Sequence, residues 1–156
     1  MYKILVVDDE SIEREGISFL IEKYKFPLEV AQATNGKTAL EYMRTHPIDI
    51  LLTDVKMPQM DGLELARHTF EKYPDVRILV FSAYGEFEFA KKAMAAQAVS
   101  YLLKPIEVDE FQRVMTQIIA QCDELSEKKK DEQQRGEEYR QQLLFRLVTG
   151  TGLGKA

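Results

Sequence analysis

The chain has 156 residues, enough for one domain with a hydrophobic core plus an appendage. Its 45% hydrophobic and 30% charged residues are typical of a globular protein and argue against disorder. A net charge of −5 disfavours direct binding to nucleic acid, and one cysteine with two histidines excludes a disulfide framework and a Cys/His zinc cage. Because no apolar run has the length of a signal peptide or a membrane span, we expect a cytoplasmic protein that contacts no membrane.

Short apolar runs alternate with stretches of helical spacing along most of the chain. The predicted strands are residues 3–7, 28–33, 48–53, 78–82 and 100–103. The predicted helices are residues 11–24, 37–44, 63–73, 87–96 and a fifth that begins at Val108. Strands that are apolar on both faces and alternate with helices form parallel sheets covered on both sides. The sequence therefore predicts a doubly wound α/β domain.

Local signals bound these elements and orient the first helix. Asn35-Gly36 is predicted to make the turn before the second helix, and Asp61-Gly62 to open the third. The first helix carries apolar or small residues along one predicted face, namely Ile12, Gly16, Phe19 and Leu20.

The predicted domain covers residues 1–122, and a helical extension covers residues 123–156. The apolar stripe of the fifth helix runs from Phe111 to Leu125, but residues 127–138 are almost wholly polar and make a poor coiled-coil seam. Within that segment, acidic neighbours offset three consecutive lysines, which we expect on a solvated face. The composition of the final eight residues is typical of a flexible linker or a cut end.

Polar side chains stand at the carboxyl ends of four predicted strands. Asp8 and Asp9 follow the first strand, Asp54 follows the third, Ser82 ends the fourth, and Lys104 follows the fifth. Parallel strands bring these ends to one edge, where such sheets bind ligands. Three carboxylates at one edge repel one another unless a cation bridges them, and oxygen ligands suit Mg²⁺ or Mn²⁺. The pattern predicts a divalent metal site with a position left for a phosphoryl oxygen.

These elements resemble the receiver domains of two-component response regulators. The match covers residues 2–122 and consists of Asp8-Asp9, the segment LLTDVKMPQMDG, Ser82-Ala83 and Lys104-Pro105. The resemblance implies a flavodoxin-like (βα)5 fold with strand order 2-1-3-4-5. It also implies a signalling switch rather than an ordinary enzyme, one that catalyses only its own phosphorylation and slow dephosphorylation.

The resemblance assigns a phosphate acceptor and a metal site. Asp54 would accept phosphate from a phosphohistidine of a sensor histidine kinase. Asp9 and Asp54 would ligate Mg²⁺ directly, and Asp8 would do so directly or through water. Lys56 would contribute its backbone carbonyl and not its side chain.

Further roles follow from the same resemblance. Lys104 would pair first with Asp54 and then with the phosphoryl group, and Ser82 would donate a hydrogen bond to a phosphoryl oxygen. The Lys104-Pro105 peptide is commonly cis in the family. Tyr101 would be an aromatic switch residue whose rotamer follows Ser82.

Several of these residues also have purely structural interpretations. Asp8 and Asp9 suit a helix N-terminus, because the helix dipole favours acids there. Ser82 suits a cap, and Tyr101 suits a half-buried position on a strand. Cys122 is expected in the core or in an interface.

Two segments, FSAYGEFEFAKKAM and SYLLKPIEVDEF, resemble the receivers of AraC-type response regulators. In these a receiver and a helical linker precede a DNA-binding region. The chain has no helix-turn-helix pair, so the resemblance implies a truncated protein whose transcriptional output domain is missing. A homodimer is expected through the fourth helix, fifth strand and fifth helix, or through the C-terminal helix. Gln97-Ala98-Val99-Ser100 departs from the common Gly-Ala-x-Asp pattern at the exit of the fourth helix.

Other functions stay open at this point. One is a Mg²⁺-dependent hydrolase with an aspartyl-phosphate intermediate, although Lys56 occupies the place where it requires a second acid. Another is a stand-alone receiver that acts on a protein target. A third is a redox module that binds FMN, whose phosphate Asp8-Asp9-Glu10 would repel.

Overall fold

A computed structural model of the chain describes residues 1–95 and 99–150, apart from the side chains of residues 84, 85 and 89. The chain divides into two compact units, Met1–Cys122 and Asp123–Ala156. The predicted departure from the family pattern at Gln97 and Ala98, and most of the predicted flexible tail, lie outside the described residues.

Strands and helices alternate along the described chain, as predicted. The strands are β1 (Tyr2–Val7), β2 (Leu28–Ala33), β3 (Ile50–Asp54), β4 (Arg77–Ala83) and β5 (Val99–Lys104). The helices are α1 (Ser11–Lys23), α2 (Gly36–Thr45), α3 (Gly62–Lys72), α4 (Tyr84–Ala93) and α5 (Val108–Thr149). Asn35 is the N-cap of α2, with its side chain accepting a hydrogen bond from the Thr38 amide at 2.8 Å.

The strands form one parallel sheet in the order β2-β1-β3-β4-β5. This confirms the predicted flavodoxin-like topology. The order reverses between β1 and β3, which opens a crevice at their carboxyl ends. The register then aligns the neighbouring strand ends, since Asp54 lies opposite Phe81 and Ala83 lies opposite Lys104. Side chains at the ends of β1, β3 and β5 therefore meet at one edge.

Helices cover both faces of the sheet. On β1, Ile4 and Val6 pack into a core with α1 and α5, whereas Leu5 and Val7 pack with α2 and α3 on the opposite face. A third cluster joins β4 to α3 and α4. Because both faces of the sheet are buried, the strands are continuous apolar runs in the sequence.

The predicted apolar face of α1 is confirmed only for Leu20, which packs against the core, and is wrong for its two other large apolar members. Ile12 and Phe19 are 72% and 61% exposed, while Ile17 and Ile21 pack into the core. The helix carries apolar residues on more than one stripe, and packing against the sheet selects the stripe that is buried. Glu13 precedes Ile17 by four residues, so the observed rotation of α1 turns Glu13 toward the sheet as well.

The last helix changes character along its length. Within the first unit α5 buries Phe111, Val114, Met115, Ile118 and Cys122. In the second unit the described helical residues are mainly exposed, including several large apolar ones: Tyr139, Leu144, Phe145, Leu147 and Val148. Among residues 1–95 and 99–150, no helix combines the length and the apolar character needed to cross a bilayer.

Candidate functional site

Three carboxylates from different elements meet at the carboxyl edge of the sheet. Asp8 follows β1, Glu13 lies in the first turn of α1, and Asp54 ends β3. One oxygen from each lies within 4.8 Å of the others. Asp8 and Asp54 are buried, with 0% and 7% of their surface exposed. Such close carboxylates repel one another unless protons or cations intervene.

A cavity of about 590 Å³ opens onto this cluster. Its lining includes Asp54, Lys104 and Glu13, and also the exposed Asp9 and Lys56. The Lys56 side chain pairs with Glu86, another residue of the cavity lining, with Nζ to Oε1 at 3.9 Å. Asp54 is thus buried but borders a space large enough for a phosphoryl group or a hydrated ion.

Lys104 supplies the positive charge within the cluster. Its Nζ donates to Glu13 Oε2 at 2.7 Å and lies 3.1 Å from Asp54 Oδ2. Asp8 Oδ2 is 3.8 Å from the same nitrogen. The ammonium also lies 4.5 Å from the centre of the Phe81 ring, a cation–π contact. The Lys104-Pro105 peptide is cis, as the resemblance implied.

One ammonium does not neutralise three carboxylates, and burial is the main cause of the raised pKa values of Asp8 and Asp54. Burial and, second, the contact with Glu13 raise the pKa of Asp8 to about 8, although the hydrogen bond from the Glu10 amide opposes the shift. The same contact, and then Lys104, lowers the pKa of Glu13. Burial raises the pKa of Asp54, although the hydrogen bond from Lys104 opposes the shift. Burial also disfavours the charged form of Lys104, but hydrogen bonds to Glu13 and Asp54 outweigh it and raise its pKa.

The donor set fits a hard divalent cation. Asp8 Oδ2 is buried and receives no hydrogen bond from the described residues. A cation beside this oxygen would supply the partner that the hydrogen bonds of the described residues do not provide. The oxygens of Asp8, Asp9 and Asp54 are ligands that Mg²⁺ prefers, and the cavity has room for the waters that Mg²⁺ retains.

The loop from β3 to α3 holds the Asp54 backbone against the start of α3. The Gly62 amide donates to the Val55 carbonyl at 2.7 Å. A Cβ at Gly62 would lie 1.8 Å from the Asp54 carbonyl oxygen, so only glycine permits this approach. Asp61 caps α3 by accepting from the Glu64 amide at 2.8 Å. The Asp-Gly pair recognised in the sequence thus shapes the loop that carries Asp54.

Ser82 and Tyr101 lie on β4 and β5, further from the cavity opening. Ser82 is buried and does not line the cavity, whereas the adjacent Ala83 does. The half-buried Tyr101 places its hydroxyl 3.5 Å from the Ala90 carbonyl and its ring edge-on to Phe87. Burial raises the pKa of Tyr101. The roles assigned to both residues stay predictions.

Sequence reasoning placed Asp8, Asp54 and Lys104 at one edge and missed Glu13. Its position in the sequence could have indicated it, because Glu13 lies in the first helical turn after the Asp8-Asp9 pair. The incorrect face predicted for α1 concealed it. Within the described residues, the close cluster contains Glu13, while Asp9 contributes to the cavity wall.

Comparisons with known proteins agree with this geometry. A family model described as the response regulator receiver domain matches residues 4–116. The uncharacterized transcriptional regulatory protein YesN of Bacillus subtilis is 41% identical over 122 residues, which cover 78% of this chain and 33% of that protein. The response regulator GacA of Pseudomonas aeruginosa is 33% identical over 120 residues, which cover 77% of this chain and 56% of GacA. The chain thus spans about a third to a half of these relatives.

Solved structures give the same result. A two-component transcriptional regulator AraC from Clostridium phytofermentans has a TM-score of 0.72 and 34% identity, covering 80% of this chain and 97% of that chain. The REC domain of AraT, a response regulator from Geobacillus stearothermophilus, has a TM-score of 0.71 and 37% identity, covering 82% and 98%. With the acidic cluster, the lysine and the strand order already in place, these matches establish that the chain belongs to the response regulator receiver domain family.

Proposed function

We propose that this chain is a switch in which Asp54 accepts a phosphoryl group from a phosphohistidine of a sensor histidine kinase. Receiver domains of response regulators are phosphorylated by sensor kinases and bind Mg²⁺ at an acidic pocket. The observation that carries the assignment to Asp54 is its position, buried beside Lys104 at 3.1 Å and bordering an open cavity. The chain is then a substrate of the kinase that assists its own modification, rather than a turnover enzyme.

Different residues of the chain carry out different parts of phosphoryl transfer. An Asp54 carboxylate oxygen attacks phosphorus, the bond from phosphorus to the imidazole nitrogen breaks, and the histidine leaves with the bonding electrons. Lys104 stabilises the charge on the transferring oxygens, and Ser82 donates a hydrogen bond to one of them. Water later attacks phosphorus, the bond from phosphorus to the Asp54 oxygen breaks, and inorganic phosphate leaves with the carboxylate restored.

A bound Mg²⁺ would neutralise the carboxylates and the incoming phosphoryl oxygens. We propose that the carboxylates of Asp8, Asp9 and Asp54 and the backbone carbonyl of Lys56 hold it. Asp8 and Asp54 lie in the close cluster, and Asp9 and Lys56 line the same cavity. Asp54 stays exposed to the cavity on the side that a phosphodonor approaches.

The output that we propose is transcriptional. YesN and the AraC-type regulator are named as transcriptional regulators, and their matches cover 78% and 80% of this chain. DNA binding would then belong to an output domain outside this chain. Phosphorylation would act through α4, β5 and α5, with Tyr101 of β5, whose side chain packs against α4, as the residue that responds.

We also propose a homodimer, formed through α4, β5 and α5 or through the C-terminal part of α5. The second possibility is supported by exposed apolar side chains in the second unit, among them Phe145, Leu147 and Val148.

Incubation with acetyl phosphate and Mg²⁺ tests the proposed switch. Intact-mass measurement is expected to show one phosphoryl group on the wild type and none on Asp54→Asn. Asp131→Asn makes the same change at an exposed position of α5 and is expected to keep the modification. Modification that persists in Asp54→Asn would refute the assignment. Rapid turnover of small phosphate esters would instead support the hydrolase.

A further inference from the structure

We propose that Glu13 is a positioning residue that holds Lys104 back from the phosphoryl group and strengthens cation binding. The proposal rests on the proposed function of Asp54 as phosphate acceptor. Glu13 Oε2 is the closer carboxylate partner of Lys104, at 2.7 Å against 3.1 Å for Asp54 Oδ2. Lys104 must therefore divide its hydrogen bonds between a permanent carboxylate and the acceptor.

The contact between Glu13 and Lys104 differs from an ordinary surface ion pair because both side chains are partly buried. About a third of the Glu13 side chain and a fifth of the Lys104 side chain remain accessible, at 32% and 20%. The pair joins α1 to the end of β5 across 91 residues of sequence. Charge-assisted hydrogen bonds at such sites are short and strong, and less screened than exposed pairs. A solvent-facing rotamer would satisfy the helix dipole equally well, so the dipole alone does not account for the inward position.

A second observation ties Glu13 to cation binding. The buried Asp8 Oδ2 has no hydrogen-bond donor among the described residues and lies in the close cluster with Glu13 and Asp54. A cation entering beside these three groups meets the negative charge of Glu13 in addition to that of Asp8 and Asp54. Glu13 then attracts the cation directly or through one of its waters.

These two contacts predict effects of opposite sign on two ligands. An ammonium has three hydrogens to donate, and one of them is directed to Glu13. Removal of the Glu13 charge frees Lys104 for an incoming anion and at the same time weakens attraction for the cation. A residue that merely supports the fold would shift both affinities in the same direction, or neither.

Glu13→Gln tests the proposal with Mn²⁺ and beryllofluoride as probes. Mn²⁺ affinity, measured by electron paramagnetic resonance, is expected to fall about three- to tenfold. Beryllofluoride affinity at saturating Mg²⁺, measured by fluorine NMR, is expected to rise by a similar factor of about three to ten. Glu15→Gln removes the same charge from an exposed position of α1 and is expected to change neither affinity.

Glu13→Asp distinguishes the effect of the hydrogen bond to Lys104 from the effect of the negative charge. It keeps the carboxylate but shortens the side chain, so it should lose the Lys104 hydrogen bond, tighten beryllofluoride binding and leave Mn²⁺ affinity within about twofold. Beryllofluoride affinity that is unchanged or weaker in both folded variants would overturn the proposal. Failure of the wild type itself to bind beryllofluoride would refute the proposed function, and the role of Glu13 with it.

Discussion

Phe111 and Phe145 lie on the same helix, yet their surroundings differ completely. Phe111, in the first unit, is 0% exposed and packs among residues of the sheet, α1 and α5. Phe145, in the second unit, is 65% exposed. Membership of the α5 helix therefore does not determine whether a side chain is buried. The first unit holds the described core and the acidic cluster, whereas the second unit is largely polar and exposes several large apolar side chains near its end.

The largest expected effect comes from the matched substitutions Phe111→Ala and Phe145→Ala. Phe111→Ala should lower the free energy of unfolding by about 3–5 kcal/mol, because it removes a buried ring and leaves a cavity. Phe145→Ala should change it by less than about 0.5 kcal/mol. Urea unfolding followed by circular dichroism measures both. Comparable losses in the two variants would mean that Phe145 is packed in solution.

A second pair, Gly62→Ala and Gly136→Ala, should give effects of opposite sign. At Gly62 the new Cβ would lie 1.8 Å from the Asp54 carbonyl oxygen, so we expect a loss of about 3 kcal/mol together with slower phosphorylation of Asp54. At Gly136 the Cβ meets nothing within 4 Å. There the change should stabilise the helix by about 0.5–1 kcal/mol. Thermal unfolding followed by far-UV circular dichroism measures both. Equal destabilisation would contradict the open surroundings of Gly136.

The third comparison concerns how the stability of the metal-free protein depends on pH. The folded-state pKa of Asp8 is raised to about 8, so protonation of Asp8 stabilises the fold at low pH, and this stabilisation is lost as pH rises toward 8. In EDTA, Asp8→Asn should remove this loss and raise stability above pH 8 by about 1–3 kcal/mol. Asp131→Asn, at an exposed site in the second unit, should leave the pH profile unchanged.

Chemical denaturation across pH provides the measurement for that pair. Added Mg²⁺ should stabilise the wild type at high pH more than it stabilises Asp8→Asn, since the substitution removes one of the proposed ligands. A wild-type stability that does not fall with pH in EDTA would show that Asp8 is ionised without penalty.

The smallest effect on stability is expected from substitutions in the second unit, which should mainly change self-association. If the second unit contributes to the proposed dimer, replacing Leu147 and Val148 with Ser should lower the mass measured by light scattering and alter unfolding of the first unit by less than about 0.5 kcal/mol. Unchanged mass would direct attention to α4, β5 and α5 as the interface.

Strand positions were predictable to within one or two residues, because buried parallel strands are uniformly apolar. The loop after β3 was predictable from Asp61-Gly62, and the structure adds the reason in the contact between Gly62 and the Asp54 backbone. Prediction failed for α1, where Ile12 and Phe19 are exposed. Apolar residues on several stripes of one helix leave its rotation undetermined, and only packing against the sheet selects one.

The sequence by itself determined the α/β class, the strand order through the family resemblance, and the edge at which Asp8, Asp54 and Lys104 meet. It could do so because parallel strands place their carboxyl ends together whatever the details of packing. Only the tertiary structure decided that Glu13 joins them, and that Lys104 is shared among three carboxylates. These outcomes depend on the rotation of α1 and on burial, which arise from contacts between segments far apart in the chain.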